Sequence, residues 1–298
     1  MGMPILILGE SGTGKTTSLR NFKEGEIAIV NVTGKALPFR GTFEMLRGTT
    51  DANKILKFMR ETTAKRIIID DCQYIMSFQY MRRIKENGWE KFNELQSDFF
   101  NIIDAVTNLP DDVIVYFLSH LETKDDGRQK IKTIGKMLDE KITLEGMFTT
   151  VLKTHVSDGK YYFLTQNSGN DTVKIPLGMF ADFAIDNDLK YVDEKIRNYY
   201  HVGEYKSDEE IAAADEEAAR PEIEKGANGR VRRTAAAPAA RATRKARAMD
   251  IVDDEPETTA EEPKPARKTR KQRPADDAAE VADISDDDLP FTMGETNN

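Results

Sequence analysis

One octapeptide, Gly9-Glu10-Ser11-Gly12-Thr13-Gly14-Lys15-Thr16, constrains this chain more than any other stretch. An apolar run from Pro4 to Leu8 precedes it, and a run with helical character, Thr17 to Phe22, follows. The order is strand, glycine-rich loop, helix, with the GxxxxGK[ST] spacing of a phosphate-binding P-loop. Glycines at 9, 12 and 14 let the backbone curl with its N–H groups facing an anion. A helix beginning near Lys15 and running to Phe22 is expected to turn its positive end toward the same anion. In such a loop Lys15 reaches the β- and γ-phosphates and Thr16 offers its hydroxyl to Mg²⁺. The expected ligands are ATP and Mg²⁺, contacted by Gly9, Glu10, Ser11, Gly12, Thr13, Gly14, Lys15, Thr16 and Thr17.

Strand and helix patterns alternate through the first two hundred residues. After the strand at Met3–Leu8, a second is expected at Glu26–Val32. A helix is expected at Asp51–Thr62, capped by Asp51, with Ile55, Leu56 and Met59 on one face. Arg66–Asp70 and Val113–Ser119 are continuous apolar runs, which suits strands buried on both faces. Helical stretches at about 73–86 and 89–108 lie between them. Residues 129–147 are charged, with weak helical periodicity. Phe148–Val156 and Lys160–Thr165 read as a hairpin about Ser157-Asp158-Gly159, and a last helix is expected at Asn187–Tyr200. The fold class expected is α/β: a mostly parallel sheet flanked by helices, with a late hairpin adding an antiparallel edge.

A second site follows from Ile67-Ile68-Ile69-Asp70-Asp71. An acid at the C-terminal tip of a buried parallel strand lies where such sheets bind ligands. Asp70 occupies the position of the carboxylate that holds Mg²⁺ together with Thr16. Asp71 is placed to polarise the attacking water. In some P-loop ATPases the base comes instead from the neighbouring strand, but the second strand here ends in Asn31, with no carboxylate. A third site is Ser119-His120, at the expected end of the fourth strand. His120 is either a sensor of the γ-phosphate or a satisfied surface histidine. Lys15, Asp71 and His120 form the expected catalytic set.

Beyond these, Lys124, Arg128, Lys130, Lys132, Lys136 and Lys141 fall in one stretch with Gly127 and Gly135. It suits a DNA backbone, a neighbouring subunit's nucleotide, or a solvated surface loop. Lys174 is a further candidate for a finger acting across subunits. The single cysteine, Cys72, excludes an internal disulfide and reads as a small buried residue in a reducing compartment. No apolar run nears the ~20 residues needed to cross a bilayer, and no basic, cleavable apolar segment opens the sequence. A cytoplasmic location is therefore expected.

Composition changes near residue 203. Past Lys206 the one aromatic is Phe291, amid Ala, Glu, Asp, Arg, Lys and Pro. Such a segment buries too little apolar surface to offset its chain entropy. The expected division is an ATPase domain at 1–203 and a disordered charged tail at 204–298, with a transient helix over 208–220. Net charge is −9, yet the tail holds two basic blocks, Lys225–Arg247 and Lys264–Arg273. These suit weak, sequence-independent contact with nucleic acid, or a solubilising linker.

With the P-loop, Asp70-Asp71 and Ser119-His120 in that order, the first ~185 residues resemble the RecA-like ATPases encoded by bacteriophages, small cores of the additional-strand class. Some of these act in recombination or single-strand annealing. The resemblance implies a RecA-like core, ATP with Mg²⁺, and DNA-linked work. Asp286-Asp287-Asp288-Leu289-Pro290-Phe291 is similar to the acidic tip of bacterial single-stranded-DNA-binding protein, though here seven further residues, Thr292 to Asn298, follow it. The expected activity is a DNA-dependent ATPase in recombination, annealing or replication. Its expected partners are single-stranded DNA, a single-stranded-DNA-binding protein and further copies of the chain, with no membrane. Two other readings stand beside it: a DNA-binding or annealing module with structural ATP, and a small-molecule P-loop kinase. No arginine-rich lid supports the kinase. A hexameric AAA+ motor is set aside because residues 186–203 are short for a helical lid.

Overall fold

The computed structural model describes residues 1–135, 138, 141–218, 223–225 and 231–233. Strands β1 (Met3–Gly9), β2 (Ala28–Asn31), β3 (Glu44–Arg47), β4 (Arg66–Asp70) and β5 (Ile114–Thr123) alternate with helices α1 (Ala52–Glu61), α2 (Tyr74–Arg82) and α3 (Glu90–Asp104). Then come β6 (Gln129–Ile131), β7 (Thr150–Ser157), β8 (Lys160–Leu164), β9 (Ala184–Asp186), α4 (Leu189–Tyr200) and α5 (Asp208–Ala218). A two-stranded ribbon pairs β10 (Ile223–Lys225) with β11 (Val231–Arg233).

The nine-stranded sheet has the order β3-β2-β4-β5-β1-β7-β8-β9, with β6 paired to β5. From β3 to β7 every pairing is parallel. β8 and β9 add the antiparallel edge. The fold is thus the expected α/β class, P-loop NTPase-like. β5 lies between the P-loop strand and the Asp70 strand.

Both faces of the sheet are covered, which is why its central strands read as unbroken apolar runs. Ile5, Ile7, Ile68, Tyr116 and Leu118 pack with Leu19, Phe22, Leu189, Val192 and Ile196 on one face. Leu6, Leu8, Ile67, Ile69, Val115 and Phe117 pack with Ile55, Met59, Phe99 and Ile102 on the other. The alternation is the period-2 geometry of a strand. α4 is also held by charge. Asp193, fully buried, accepts from Arg66 Nε, Arg197 Nε and Tyr116 OH, so its charge is paired on all sides.

Several elements differ from expectation. The helix after the P-loop is a four-residue 3-10 turn, Thr16–Leu19. Arg20 donates to the Asn187 carbonyl and Asn21 to Asp188, which ties the segment to the start of α4, and the chain then turns at 23–26. The stretch 129–147 is a strand and a 3-10 turn, Leu144–Met147, rather than a helix. β5 continues past Ser119 to Thr123, so Ser119-His120 sits within a strand rather than at its end. α5, by contrast, falls on the helix expected over 208–220 at the start of the tail. Its Ile211 is buried, Lys195 pairs with Asp208, and Lys206 pairs with Glu194. Lys136, most of the first basic block, all of the second and Asp286–Phe291 lie outside the described residues.

Candidate nucleotide site

The register of the sheet brings the predicted residues together. Gly9, where β1 ends and the loop begins, pairs with His120 on β5. Asp70, at the tip of β4, pairs with Asn31 at the tip of β2. The ends of β1, β2 and β4 therefore open onto one side of the sheet, beside His120 within β5. A cleft of about 270 Å³ lies there, lined by the loop, Asn31, Lys35, Asp70, Asp71, Tyr74, His120 and Tyr161.

The loop is fixed by its neighbours as well as by its glycines. Thr13 Oγ1 lies 2.7 Å from the Glu10 carbonyl, to which it donates, and 2.6 Å from Thr154 Oγ1 on β7. A Cβ at Gly9 would lie 1.8 Å from Thr154 Oγ1, so only glycine fits. Gly14 has φ +97°, and a Cβ there would meet Asn187 Oδ1 at 2.9 Å. Lys15 Nζ donates to the carbonyls of Gly9 at 2.9 Å and Glu10 at 2.7 Å. Lys15 is nearly buried, and that burial lowers its pKa against the pull of Asp71 and Asp70. A four-residue 3-10 turn carries little macrodipole. The anion-binding character of the loop thus rests on its backbone N–H groups and Lys15 rather than on a helix end.

Thr16 Oγ1 donates to Asp70 Oδ1 at 2.9 Å. Burial, and then the charge of Asp71, push the Asp70 carboxyl up to about 6. Two negative groups side by side in a buried setting create a demand for a cation. Among the described residues no cluster of three or more His, Cys, Asp or Glu is placed to hold a metal. A hydroxyl and one carboxylate, both hard oxygen donors, fit Mg²⁺, which keeps waters and completes its shell on substrate phosphates.

Asp71 has φ +59°, a left-handed conformation that turns the chain out of β4. His120 Nε2 lies 3.4 Å from Asp71 Oδ1 and Lys35 Nζ lies 4.0 Å from Asp71 Oδ2. Burial alone would raise the Asp71 carboxyl, but His120, Lys15 and Lys35 together hold it below the usual range. Gln73 Oε1 accepts from the His120 backbone N–H at 3.2 Å and from Ser119 Oγ at 3.5 Å. It joins the start of α2 to β5 beneath the site.

The other candidates lie elsewhere. Lys124 and Arg128 close the β5–β6 hairpin, with Lys124 N–H donating to the Arg128 carbonyl. Lys130 pairs with Glu122 at 2.9 Å. Lys174 pairs through its backbone with Val151, and its Nζ donates to the Glu145 carbonyl at 3.2 Å. Cys72 is fully buried and burial pushes its thiol up, as suits a packing residue. Lys35, Gln73, Thr154 and Tyr161 carry no motif that marks them in the sequence. Gln73, three residues past Asp70 at a helix start, is the one that spacing from the motif signals.

A family model described as an AAA domain matches residues 1–174. The chain belongs to the AAA domain family. The matched segment holds the P-loop, Asp70, Asp71 and His120, and it implies a P-loop ATPase. It ends before residues 186–203, so the shortness of that segment does not bear on it. A solved structure, the FIGL-1 AAA domain in complex with ADP, is similar over 51% of this chain and 42% of that one, at 19% identity and a TM-score of 0.27. The chain thus spans less than half of that AAA domain structure. No curated protein matches.

Proposed function

We propose that this AAA domain is a RecA-like ATPase that hydrolyses Mg²⁺·ATP in the service of single-stranded DNA. The observation that carries the ATPase reading is the Thr16–Asp70 contact at 2.9 Å, facing the same cleft as Asp71 and His120. Lys15 and the loop N–H groups bind the phosphates. Thr16 and Asp70 would hold Mg²⁺, which neutralises charge on the β- and γ-oxygens. Asp71 accepts a hydrogen bond from the attacking water and orients it. His120 keeps Asp71 in place, and its backbone, held by Gln73, links the cleft to α2 and β5.

Single-stranded DNA as the partner is supported by the acid-free basic block Lys225–Arg247 in the sequence; in the β5–β6 hairpin Glu122, Asp125 and Asp126 offset Lys124, Arg128 and Lys130. The resemblance to bacteriophage RecA-like ATPases supports recombination, annealing or replication as the setting, in the cytoplasm of a host. It also supports assembly with further copies of the chain. Contact with a single-stranded-DNA-binding protein rests on the similarity of Asp286–Phe291 to that protein's tip. Among the described residues no helix is long and apolar enough to cross a membrane.

The test is ATP hydrolysis by the full chain, alone and with single- and double-stranded oligonucleotides, at several salt concentrations. Single strands are expected to raise turnover several-fold, with the effect fading as salt rises. DNA binding without turnover points to a structural nucleotide. Phosphoryl transfer to a nucleoside points to a kinase.

A further inference from the structure

The γ-phosphate end of the cleft has a cation that the P-loop pattern does not supply. Lys15 and Lys35 are the lysines lining the cleft, and no arginine is among the lining residues described. Lys35 sits in the β2–β3 loop, where no motif predicts a functional group. That loop is built around a buried side chain. Asn31, 2% exposed, donates from Nδ2 to the Lys35 carbonyl at 2.7 Å. Asn31 Oδ1 accepts from Gly34 N–H at 2.8 Å. Gly34, at φ +71°, makes the turn. Asn31 is also the residue paired with Asp70 across the strands. The Lys35 backbone is thus anchored to the catalytic strand ends, while its side chain is 70% exposed. The ammonium lies 4.0 Å from Asp71 Oδ2 and 5.6 Å from the centre of the Tyr74 ring.

We propose that Lys35 is a cationic finger supplied in cis. With nucleotide bound, its ammonium moves from Asp71 to the terminal phosphoryl group and stabilises the charge there in the transition state. The same movement frees Asp71 Oδ2 to receive the attacking water. The water oxygen bonds to the γ-phosphorus. The bond from that phosphorus to the β–γ bridging oxygen breaks, and ADP leaves with the electron pair. The water proton passes to Asp71 and then to the released phosphate. An anchored backbone with a long, exposed side chain suits this role, because the loop holds the lysine near the cleft and the stem supplies the reach. The inference rests on the ATPase reading and adds that the finger comes from the chain's own cleft, whereas Lys174 is held at the Glu145 carbonyl.

The experiment compares wild type, Lys35→Ala, Lys35→Arg and Lys15→Ala. It measures turnover across a dilution series, and affinity for Mg²⁺·ADP with and without aluminium fluoride, which mimics the phosphoryl group in transfer. Lys35→Ala is expected to lower kcat about 10- to 100-fold and to lose a similar factor in affinity for the fluoride complex. Its Mg²⁺·ADP affinity should stay within about 2-fold of wild type, because ADP lacks the group the lysine contacts. Lys35→Arg should recover most of the loss, and wild-type specific activity should not fall on dilution. Equal weakening of ADP and the fluoride complex, or wild-type turnover by Lys35→Ala, overturns the finger. If Lys15→Ala still abolishes binding in that case, the ATPase reading stands without it. A wild-type protein that neither binds Mg²⁺·ADP nor turns over ATP removes both.

Discussion

The two walls of the cleft are made of different material. The wall of the P-loop and Asp70 grows from the interior of the sheet: Lys15 is 6% exposed, Asp70 5%, and Leu6 and Ile69 behind them are fully buried. The wall of Asp71, His120 and Lys35 is looser. Asp71 holds a left-handed backbone, and Lys35 reaches in from a surface loop. The first wall is set before any ligand arrives, because the packing that folds the domain also places it. The second carries a left-handed backbone and a cation on an exposed side chain, and in the proposed mechanism it is the wall that serves chemistry rather than binding. Substitutions in the first wall should therefore affect affinity and folding, and those in the second should affect turnover.

The largest effect is expected at Lys15. Lys15→Ala removes the cation that reaches the phosphates and should weaken Mg²⁺·ATP binding at least about 100-fold. Titration calorimetry measures this, with thermal melting as the control for folding. Binding at wild-type strength would mean that the loop N–H groups suffice and would dissolve the distinction between the walls.

Gly9→Ala tests whether the first wall is rigid. Its methyl would fall 1.8 Å from Thr154 Oγ1 and 2.7 Å from Thr13 Oγ1. A loop that cannot yield should lose about 1–3 kcal/mol of stability and most of its nucleotide affinity. Adding Thr154→Ala removes the nearer clash and should restore part of both, read by melting and by binding. If Gly9→Ala alone is silent, the loop is softer than its contacts suggest.

Asp71→Asn addresses the second wall. Asparagine accepts a left-handed backbone readily, so the fold should hold. Turnover should fall about 10- to 100-fold while Mg²⁺·ATP affinity changes little. An unchanged rate would place the group that orients water elsewhere, with His120 the nearest alternative at 3.4 Å.

The same contrast governs what could be read from sequence. The first wall was legible because its residues are fixed by short-range chemistry: an eight-residue loop, and an acid closing a run of isoleucines. The parallel core was legible because burial on both faces leaves unbroken apolar runs at β1, β4 and β5. Lys35 was not legible, since its relation to Asp71 depends on a loop held by the Asn31 side chain, in a stretch without periodicity. β3, four residues with exposed ends, and β9, of three, are too short for a pattern to register. The helix expected after the P-loop shrank to one turn because contacts with Asn187 and Asp188, 167 residues away in sequence, outweigh local propensity. Gln73 stood in plain view beside Asp70, but only the pairing of α2 with β5 gives its carbonyl a partner.

The remaining effect is on stability, and it has an unusual sign. Asp70 is buried, and its carboxyl is raised from 3.8 to about 6. An acid whose folded value exceeds its unfolded value favours the fold when protonated. Its contribution is fully present below about 4 and is lost as pH rises through about 6. At pH 7.5 the ionised Asp70 therefore costs the nucleotide-free protein up to about 3 kcal/mol. Asp71 acts in the opposite sense. Its carboxyl is held low, so its contribution is present above about 4 and is lost only as pH falls further, outside this window. Asp70→Asn removes the charge yet keeps an oxygen to accept from Thr16. It should raise the melting temperature of the nucleotide-free protein at pH 7.5, at about 2–4 °C per kcal/mol recovered, and the gain should shrink toward pH 5. The same variant should lose Mg²⁺-dependent binding of nucleotide, since an amide gives the cation no charge. Stability gained together with Mg²⁺ affinity lost would identify Asp70 as a residue kept at the expense of the fold for its ligand. A melting temperature lowered equally at both pH values would mean instead that the Thr16–Asp70 contact holds this wall together.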